Sequence, residues 1–352
     1  MTSGTEGALP GDPGGRAPRA HWPSDSEIER LRQGVLRNSA ELWRDFPWRA
    51  TRDPWFVLVS EVMLQQTQAP RVVEPFTRFV ARFPTPAACA DAGRAEVVRA
   101  WAGLGYNRRA VNLHRTATIV VERHGGRLPD ELDALEHLPG VGPYTARAVL
   151  AFAYARAIGV VDANVMRVLS RAAAGGALTR RQAQRLADRL VPPSDAWRFN
   201  QALIDFGARC CTARAPRCGS CHLLEQCRWA QAVAGNGAGT ALPGTAAPGT
   251  AAPGTAAPGT AAPGTAAPGT AAPGTAAPDP AAPTRRRQGR FAGSDREGRG
   301  RLVRALRLAP VPARAVATTA GSPDDELRAL RVAEALVAEG LASRQEGALA
   351  LA

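Results

Sequence analysis

At 352 residues the chain has room for two or three domains. Its formal charge is +13, every one of its 44 cationic side chains is an arginine, and lysine is absent, a balance that points to polyanionic partners, nucleic acid first. No apolar run is long enough to span a bilayer and the first twenty residues lack the basic start and apolar core of a secretion signal, so a soluble cytoplasmic protein without membrane contact is expected.

In chain order, residues 1–24 are rich in Gly, Pro and small polar types and read as a disordered tail. From Ser26 an amphipathic helix places Ile28, Leu31, Val35, Leu36 and Leu42 on one side and ends before Pro47. Asp53 is suited to cap the next helix and Pro54 to its first turn. Residues 55–59 are apolar all round, as are Val62, Met63 and Leu64, which marks a helix buried on most faces up to a break at Pro70. Glu61 sits in its middle. A carboxylate taken out of water either pairs with a cation or keeps its proton, and a carboxyl group protonated near neutrality is a general acid. Helices are then expected over Val72–Phe83, Ala87–Trp101 and Arg108–His124, the last closed by Gly125 and Gly126, with the tight turn GLGYN (Gly103–Asn107) between the second and third.

Helices over Asp130–His137 and Tyr144–Ala157 flank LPGVG, Leu138–Gly142. Such a hairpin is either an ordinary helix–helix turn or a concavity of outward backbone N–H groups suited to a phosphate, with Gly140 and Gly142 letting the backbone approach. VVDANV follows, with Asp162 at the N-terminus of a helix starting near Val165, where the dipole favours an ionised side chain; a simple cap is the plain alternative. Helices over Thr179–Leu190 and Asp195–Phe206 complete a helical body.

Cys211, Cys218, Cys221 and Cys227 come next, separated by six, two and five residues. Four thiolates suit zinc or a four-iron cluster; the paired knuckles of a zinc ribbon are missing, which favours iron–sulfur. Cys89 and Cys210 read as packing residues. From about Ala232 to Pro283 the sequence becomes tandem AAPGT units without an apolar face, a flexible tether. The run Arg285–Arg290 is a mobile phosphate clamp or a merely solvated charge run. Periodicity returns in helices over Gly298–Leu308 and Ala313–Thr319 and a third opened by Ser322 and Pro323 and closed by Gly340, then a short hairpin. Together they make a small winged-helix module, but acids on the third helix (Asp324, Asp325, Glu326, Glu334, Glu339) argue against its reading a DNA groove.

Residues 26–230 resemble the helix-hairpin-helix DNA glycosylases, most closely the adenine DNA glycosylase family. The resemblance is carried by PWR at Pro47, DPW at Asp53, SEVMLQQTQ at Ser60–Gln68, GLGYN at Gly103, LPGVGPYTA at Leu138, DANVMRV at Asp162, FNQAL at Phe199 and the four cysteines. It implies an all-α, two-lobed glycosylase fold over residues 25–231 with a [4Fe-4S] loop at 211–227, followed by the 232–290 linker and the 291–352 module. It also implies a monomer that flips its target nucleotide out of double-stranded DNA containing adenine mispairs, at the nucleoid.

By the same resemblance Glu61 protonates adenine N7 and then helps activate water, while Asp162 stabilises the oxocarbenium ion in the two-carboxylate manner of retaining glycosidases. Tyr144 and Asn164 support the acid and the sugar; Arg49 and Gln201 lie near the adenine edge; Gln66, Thr67, Leu104 and Tyr106 wedge into the duplex and touch the opposite base. Endonuclease III–type relatives carry a strand-cutting lysine where this chain has Tyr144, which implies a monofunctional enzyme that leaves the abasic site uncut. Two departures bear on the opposite base: Asn107 replaces the usual aromatic after the GLGY tyrosine, and no strand-rich Nudix-like domain follows the body, so weaker preference for 8-oxoguanine over guanine is expected. The rival readings are a thymine or uracil mismatch glycosylase and a non-catalytic DNA-binding protein on the same scaffold.

Overall fold

A computed structural model of the chain describes residues 21–37, 39–235 and 291–352. The expectations for most of the N-terminal tail, for nearly all of the repeat tether and for the Arg285–Arg290 run lie outside the described residues. The chain divides into two compact units: the described parts of Met1–Trp43, Val161–Leu190 and Gln201–Pro283 form one, and those of Arg44–Val160, Val191–Asn200 and Thr284–Ala352 the other.

The first unit begins with the helix Asp25–Arg37, which buries Ile28, Leu31 and Val35. Ser24 and Glu27 cap it reciprocally: the Ser24 N–H donates to Glu27 Oε2 at 2.8 Å and the Glu27 N–H to Ser24 Oγ at 3.4 Å, an arrangement that satisfies the first turn's orphan donors. Arg32 Nε fastens this helix to the Leu190 carbonyl at 2.9 Å, at the end of the helix Arg180–Leu190. The helix Ala163–Val168 widens into a π-helical turn over Leu169–Ala174, all six of whose residues are buried, and Gly175 ends it at φ +64°. Its start lies against the helix Ala196–Arg209, where a Cβ on Gly207 would stand 2.7 Å from the Asn164 Cβ. Only glycine permits that approach.

In the second unit the Asp53 carboxylate accepts the Trp55 and Phe56 N–H groups at 2.8 and 3.1 Å and Pro54 opens the helix Pro54–Leu64, as the sequence predicts. A cap of this kind stabilises by about 1 kcal/mol. Eight of the helix's residues are buried, and the Trp55 indole N–H donates to the Phe83 carbonyl at 2.9 Å. It packs against the helices Val73–Arg82, Arg108–His124 and Pro143–Phe152. The helix stops at Leu64 rather than at Pro70, because Gln66 takes φ +56° and turns Gln65–Gln68 into a loop. Similarly, the single helix expected over Ala87–Trp101 is two, Pro86–Asp91 and Arg94–Ala100, with Gly93 at φ +76° between them.

The C-terminal stretch also belongs to this unit. Its helices Asp295–Leu306, Val316–Ala320 and Glu326–Ala338 and three short strands follow one another in the order helix, strand, helix, helix, strand, strand, a small module after the helical body. The hairpin Ala342–Gln345 and Ala348–Leu351 is joined by an edge strand, Val311–Pro312, pairing Val311 with Leu349. That strand was not expected. The third helix is capped by Asp325, whose Oδ1 accepts the Arg328 N–H at 2.9 Å, and not by Ser322.

Candidate active site

Glu61 lies in the middle of the Pro54–Leu64 helix with 5% of its surface exposed, among the buried Leu58, Val62 and Met63. Arg109, also buried, closes the C-terminal end of that helix. Its Nη1 donates to the carbonyls of Val62, Met63 and Gln65 at 2.9, 2.7 and 2.6 Å. Its Nη2 reaches Thr67 Oγ1 at 3.1 Å and the Leu104 and Gly105 carbonyls at 3.2 Å each. One planar fork thus joins the loop after Glu61 to the GLGYN turn, a task to which guanidinium geometry is suited. Burial pushes the Arg109 guanidinium down to about 10, which leaves it charged at neutral pH.

Leu104 is buried, whereas Gln66 is exposed and Tyr106 is 55% exposed at φ +45°. The side chains that the resemblance assigned together to the duplex therefore divide into one inside the body and two on its surface, with Thr67 partly buried between them and bound to Arg109.

The hairpin is locked from below. Gly140 takes φ +79°, and a Cβ there would meet Asn112 at 3.0 Å. Gln65 Nε2 donates to the Gly140 carbonyl and to Thr145 Oγ1, each at 3.3 Å, and Thr116 Oγ1 donates to the Pro139 carbonyl at 3.0 Å. Gly142 and Pro143 then start the helix Pro143–Phe152, on which Tyr144 is partly buried. Arg49, in the same unit, is buried, donates to the Arg44 carbonyl at 2.7 Å and lies over the Phe46 ring.

Asp162 belongs to the first unit and caps its helix as expected: Oδ1 accepts the Val165 N–H at 2.7 Å and Oδ2 accepts Asn164 Nδ2 at 2.7 Å. Asn164 is itself held by Arg167, whose Nη2 donates to its Oδ1 at 2.9 Å. The expected ionised bias does not survive intact. Although the residue keeps some exposed area, burial of its carboxylate pushes Asp162 above the ordinary aspartate range, outweighing the hydrogen bonds from Val165 and Asn164 and the charge of Arg167. Gln201 is buried on the helix Ala196–Arg209.

Cys211, Cys218, Cys221 and Cys227, with the adjacent Cys210, line a single cavity whose other walls include Phe206, Leu223, Leu224 and Trp229. Burial pushes the Cys218 and Cys227 thiols up to about 11 and about 12, so thiolates here need a compensating positive centre. Among the described residues no group of three or more His, Cys, Asp or Glu forms a site for a metal ion. The donor set nonetheless fits an iron–sulfur cluster: soft cysteine sulfurs, the four of the expected spacing among them, around one largely apolar cavity, with a guanidinium beside them. That guanidinium is Arg171, which sequence reasoning missed. It is 2% exposed, donates to Cys211 Sγ at 3.4 Å and to the Thr212 and Ala213 carbonyls at 2.8 and 3.2 Å, and lies over the Trp229 ring. Cys210 is buried, lines the same cavity and is hydrogen-bonded to Cys221, whereas Cys89 is buried in the other unit.

The helix–hairpin–helix, the buried glutamate, the aspartate capping a later helix and the four-cysteine loop are the features on which the resemblance to the helix-hairpin-helix DNA glycosylases rests, and comparison with known proteins places the chain in that class. Residues 59–193 match the HhH-GPD superfamily of base excision DNA repair proteins. A solved thermostable thymine-DNA glycosylase superposes with a TM-score of 0.57 at 32% identity, over 59% of this chain and 98% of that one. The protein named Adenine DNA glycosylase of Mycolicibacterium smegmatis is 37% identical over 314 residues, 88% of this chain and 92% of the relative. Its namesake in Mycobacterium tuberculosis is 49% identical over 197 residues, where the chain spans 64% of the relative's length. The chain belongs to the adenine DNA glycosylase family and is a DNA glycosylase of base excision repair.

Proposed function

We propose that this protein hydrolyses the N-glycosidic bond of adenine mispaired with guanine or 8-oxoguanine in double-stranded DNA, acting as a monomer and leaving the abasic strand uncut. The 37% identity to an adenine DNA glycosylase along 92% of that relative is the observation that carries the reading.

The target adenine is flipped out of the stack. The Glu61 carboxyl donates its proton to adenine N7, the C1′–N9 bond breaks with its electron pair going to the purine, and Asp162 stabilises the positive sugar. Water then adds to C1′ and gives a proton to the Glu61 carboxylate, restoring the acid. The burial of Glu61 in an apolar helix and the cap that holds Asp162 support these assignments. Tyr144 and Asn164 position the two carboxyl groups; for Asn164 the support is its 2.7 Å hydrogen bond to Asp162. Arg49 and Gln201 are assigned to the adenine edge, and Gly140 and Gly142 to a DNA phosphate at the hairpin.

Cys211, Cys218, Cys221 and Cys227 would hold a [4Fe-4S] cluster, which when bound supplies the positive centre that four closely set, largely shielded thiolates require. Arg171 and Arg167 position the loop by gripping its carbonyls. Tyr144 in place of a lysine, in a chain without any lysine, supports hydrolysis without a Schiff base.

The test is base release from duplexes carrying A·8-oxoguanine, A·G and T·G pairs, with Glu61→Gln as the control. Release of adenine from the first two, lost in the variant, is expected; release of thymine alone, which the 32% identity to a thymine-DNA glycosylase makes the second reading, overturns it.

A further inference from the structure

The winged-helix module does not stand apart from the body it follows. Arg307, at the end of its first helix, donates from Nε to the Val98 carbonyl at 3.1 Å and from Nη2 to Asn107 Oδ1 at 2.9 Å. Burial holds this guanidinium below its usual value, as expected of a cation used for fastening rather than for solvation. A second contact lies at Gly340, whose carbonyl accepts Arg94 Nη1 at 3.3 Å and whose φ of +71° favours glycine. The residue that departs from the family's GLGY aromatic, Asn107, is thus the one the module grips.

Between the module and the body runs a groove of about 640 Å³. Gln66, Tyr106 and Arg108 stand on the body's side, and Phe291, Arg296 and Arg299 on the module's. Both walls present an exposed aromatic, Tyr106 at 55% and Phe291 at 60%. Cations back each ring: Arg109 lies 5.5 Å from the Tyr106 centroid and Arg296 5.9 Å from that of Phe291. The acid in the groove, Glu339, is held by Arg299 through two bonds of 2.8 and 2.6 Å. The sequence immediately before Phe291 is the arginine-rich RRRQGR run.

We propose that this groove binds a DNA strand with at least one unstacked base, the turn that opens the module supplying Phe291, its first helix supplying Arg296, and Arg307 fixing the wall that carries them. The proposal rests on the glycosylase reading, since flipping a nucleotide is what opens a duplex locally. Exposed aromatics over which bases stack, bordered by arginines that track phosphates, are the recurring means of holding a strand without reading its sequence. The cavity also has the size of one that takes a nucleotide-sized group. The module's third helix, where a winged helix ordinarily reads its groove, carries acids instead, and its Glu334 pairs with Arg344.

The test uses full-length, iron-loaded protein and two fluorescent duplexes, one fully paired and one with a tetrahydrofuran abasic analogue opposite guanine. Phe291→Ala with Arg296→Ala is expected to weaken binding to the abasic duplex at least tenfold and to lower the slope of log K against log salt by about one, for the one arginine removed. Binding to the paired duplex should fall by no more than about threefold, beyond the loss of one phosphate contact. Arg307→Ala should reproduce the loss on the abasic duplex and expose the module to proteolysis. Unchanged affinity and slope in both variants, with unchanged far-UV dichroism, overturn the proposal. A groove that binds as stated in a protein releasing no adenine would sink the functional reading alone.

Discussion

Asn164 holds Oδ2 of Asp162 at 2.7 Å while Arg167 holds Asn164 at 2.9 Å, so the second carboxylate of the proposed reaction is steadied by a neutral donor with a cation one step behind it. This arrangement fixes the carboxylate without neutralising it. A directly paired arginine would have lowered its pKa and blunted the charge offered to a positive sugar.

Asp162→Asn is expected to lower the single-turnover rate of base release by about 10²–10³-fold, the usual cost of losing a charge aimed at the transition state. Stability should move the other way. Burial raises the Asp162 pKa above its ordinary 3.8, so between that value and the raised one the folded state holds more protons than the unfolded, and stability falls as pH rises through this window. The aspartate therefore costs stability at neutral pH, and asparagine, an equally good cap, removes that cost. Thermal unfolding at pH 7 should show the variant at least as stable as the parent, with the difference vanishing below about pH 4.

Asn164→Ala should shift the pH–rate profile. The Asn164 hydrogen bond lowers the Asp162 pKa, so without it the carboxylate becomes ionised only at a higher pH. The acidic limb of the base-release rate is expected to move upward, with the plateau rate recovered in part at high pH. A limb that stays in place would remove Asp162 as the group that titrates there.

Arg109→Ala should cost about 3–5 kcal/mol, the range for removing one partner of a buried charged network. Six oxygens lose their donor at once, and the end of the Glu61 helix parts from the GLGYN turn. Arg109→Lys should restore little, because a point ammonium cannot span both segments. Denaturant unfolding of the two variants measures this directly, and near-parental stability of the lysine form would show that charge, not the fork, is what the site requires.

Some of this was legible in the sequence and some was not, for physical reasons. The Glu61 helix announced itself because Asp53, Pro54 and an apolar surround are local signals that act within one turn. The cysteine spacing and the LPGVG hairpin are local in the same sense. Arg109 and Arg171 carry no such mark: nothing distinguishes them among 44 arginines until carbonyls about 40 residues away are brought to them. Gly93 was passed over because one glycine inside a helical pattern is often tolerated, and the Val311–Pro312 strand because two residues hold no period; its existence depends on a partner at Leu349. The direction of the Asp162 pKa was misjudged because the dipole and cap are read from sequence whereas burial is not.

Opposite-base discrimination gives the last test. The body presents Gln66 and Tyr106 on its surface, but the strand-rich domain that reads 8-oxoguanine in other adenine glycosylases has no counterpart among the described residues, where the module's sheet has three short strands. Tyr106 also sits at φ +45° next to Asn107, so its ring depends on a turn that Arg307 steadies. Adenine release from A·8-oxoguanine and A·G duplexes should consequently differ by less than tenfold in the parent protein. Asn107→Ala, which removes the oxygen Arg307 grips, should lower both rates together rather than their ratio. Single-turnover rates on the two duplexes measure this. A parental ratio far above tenfold that collapses in Asn107→Ala would instead make the gripped turn the reader of the opposite base.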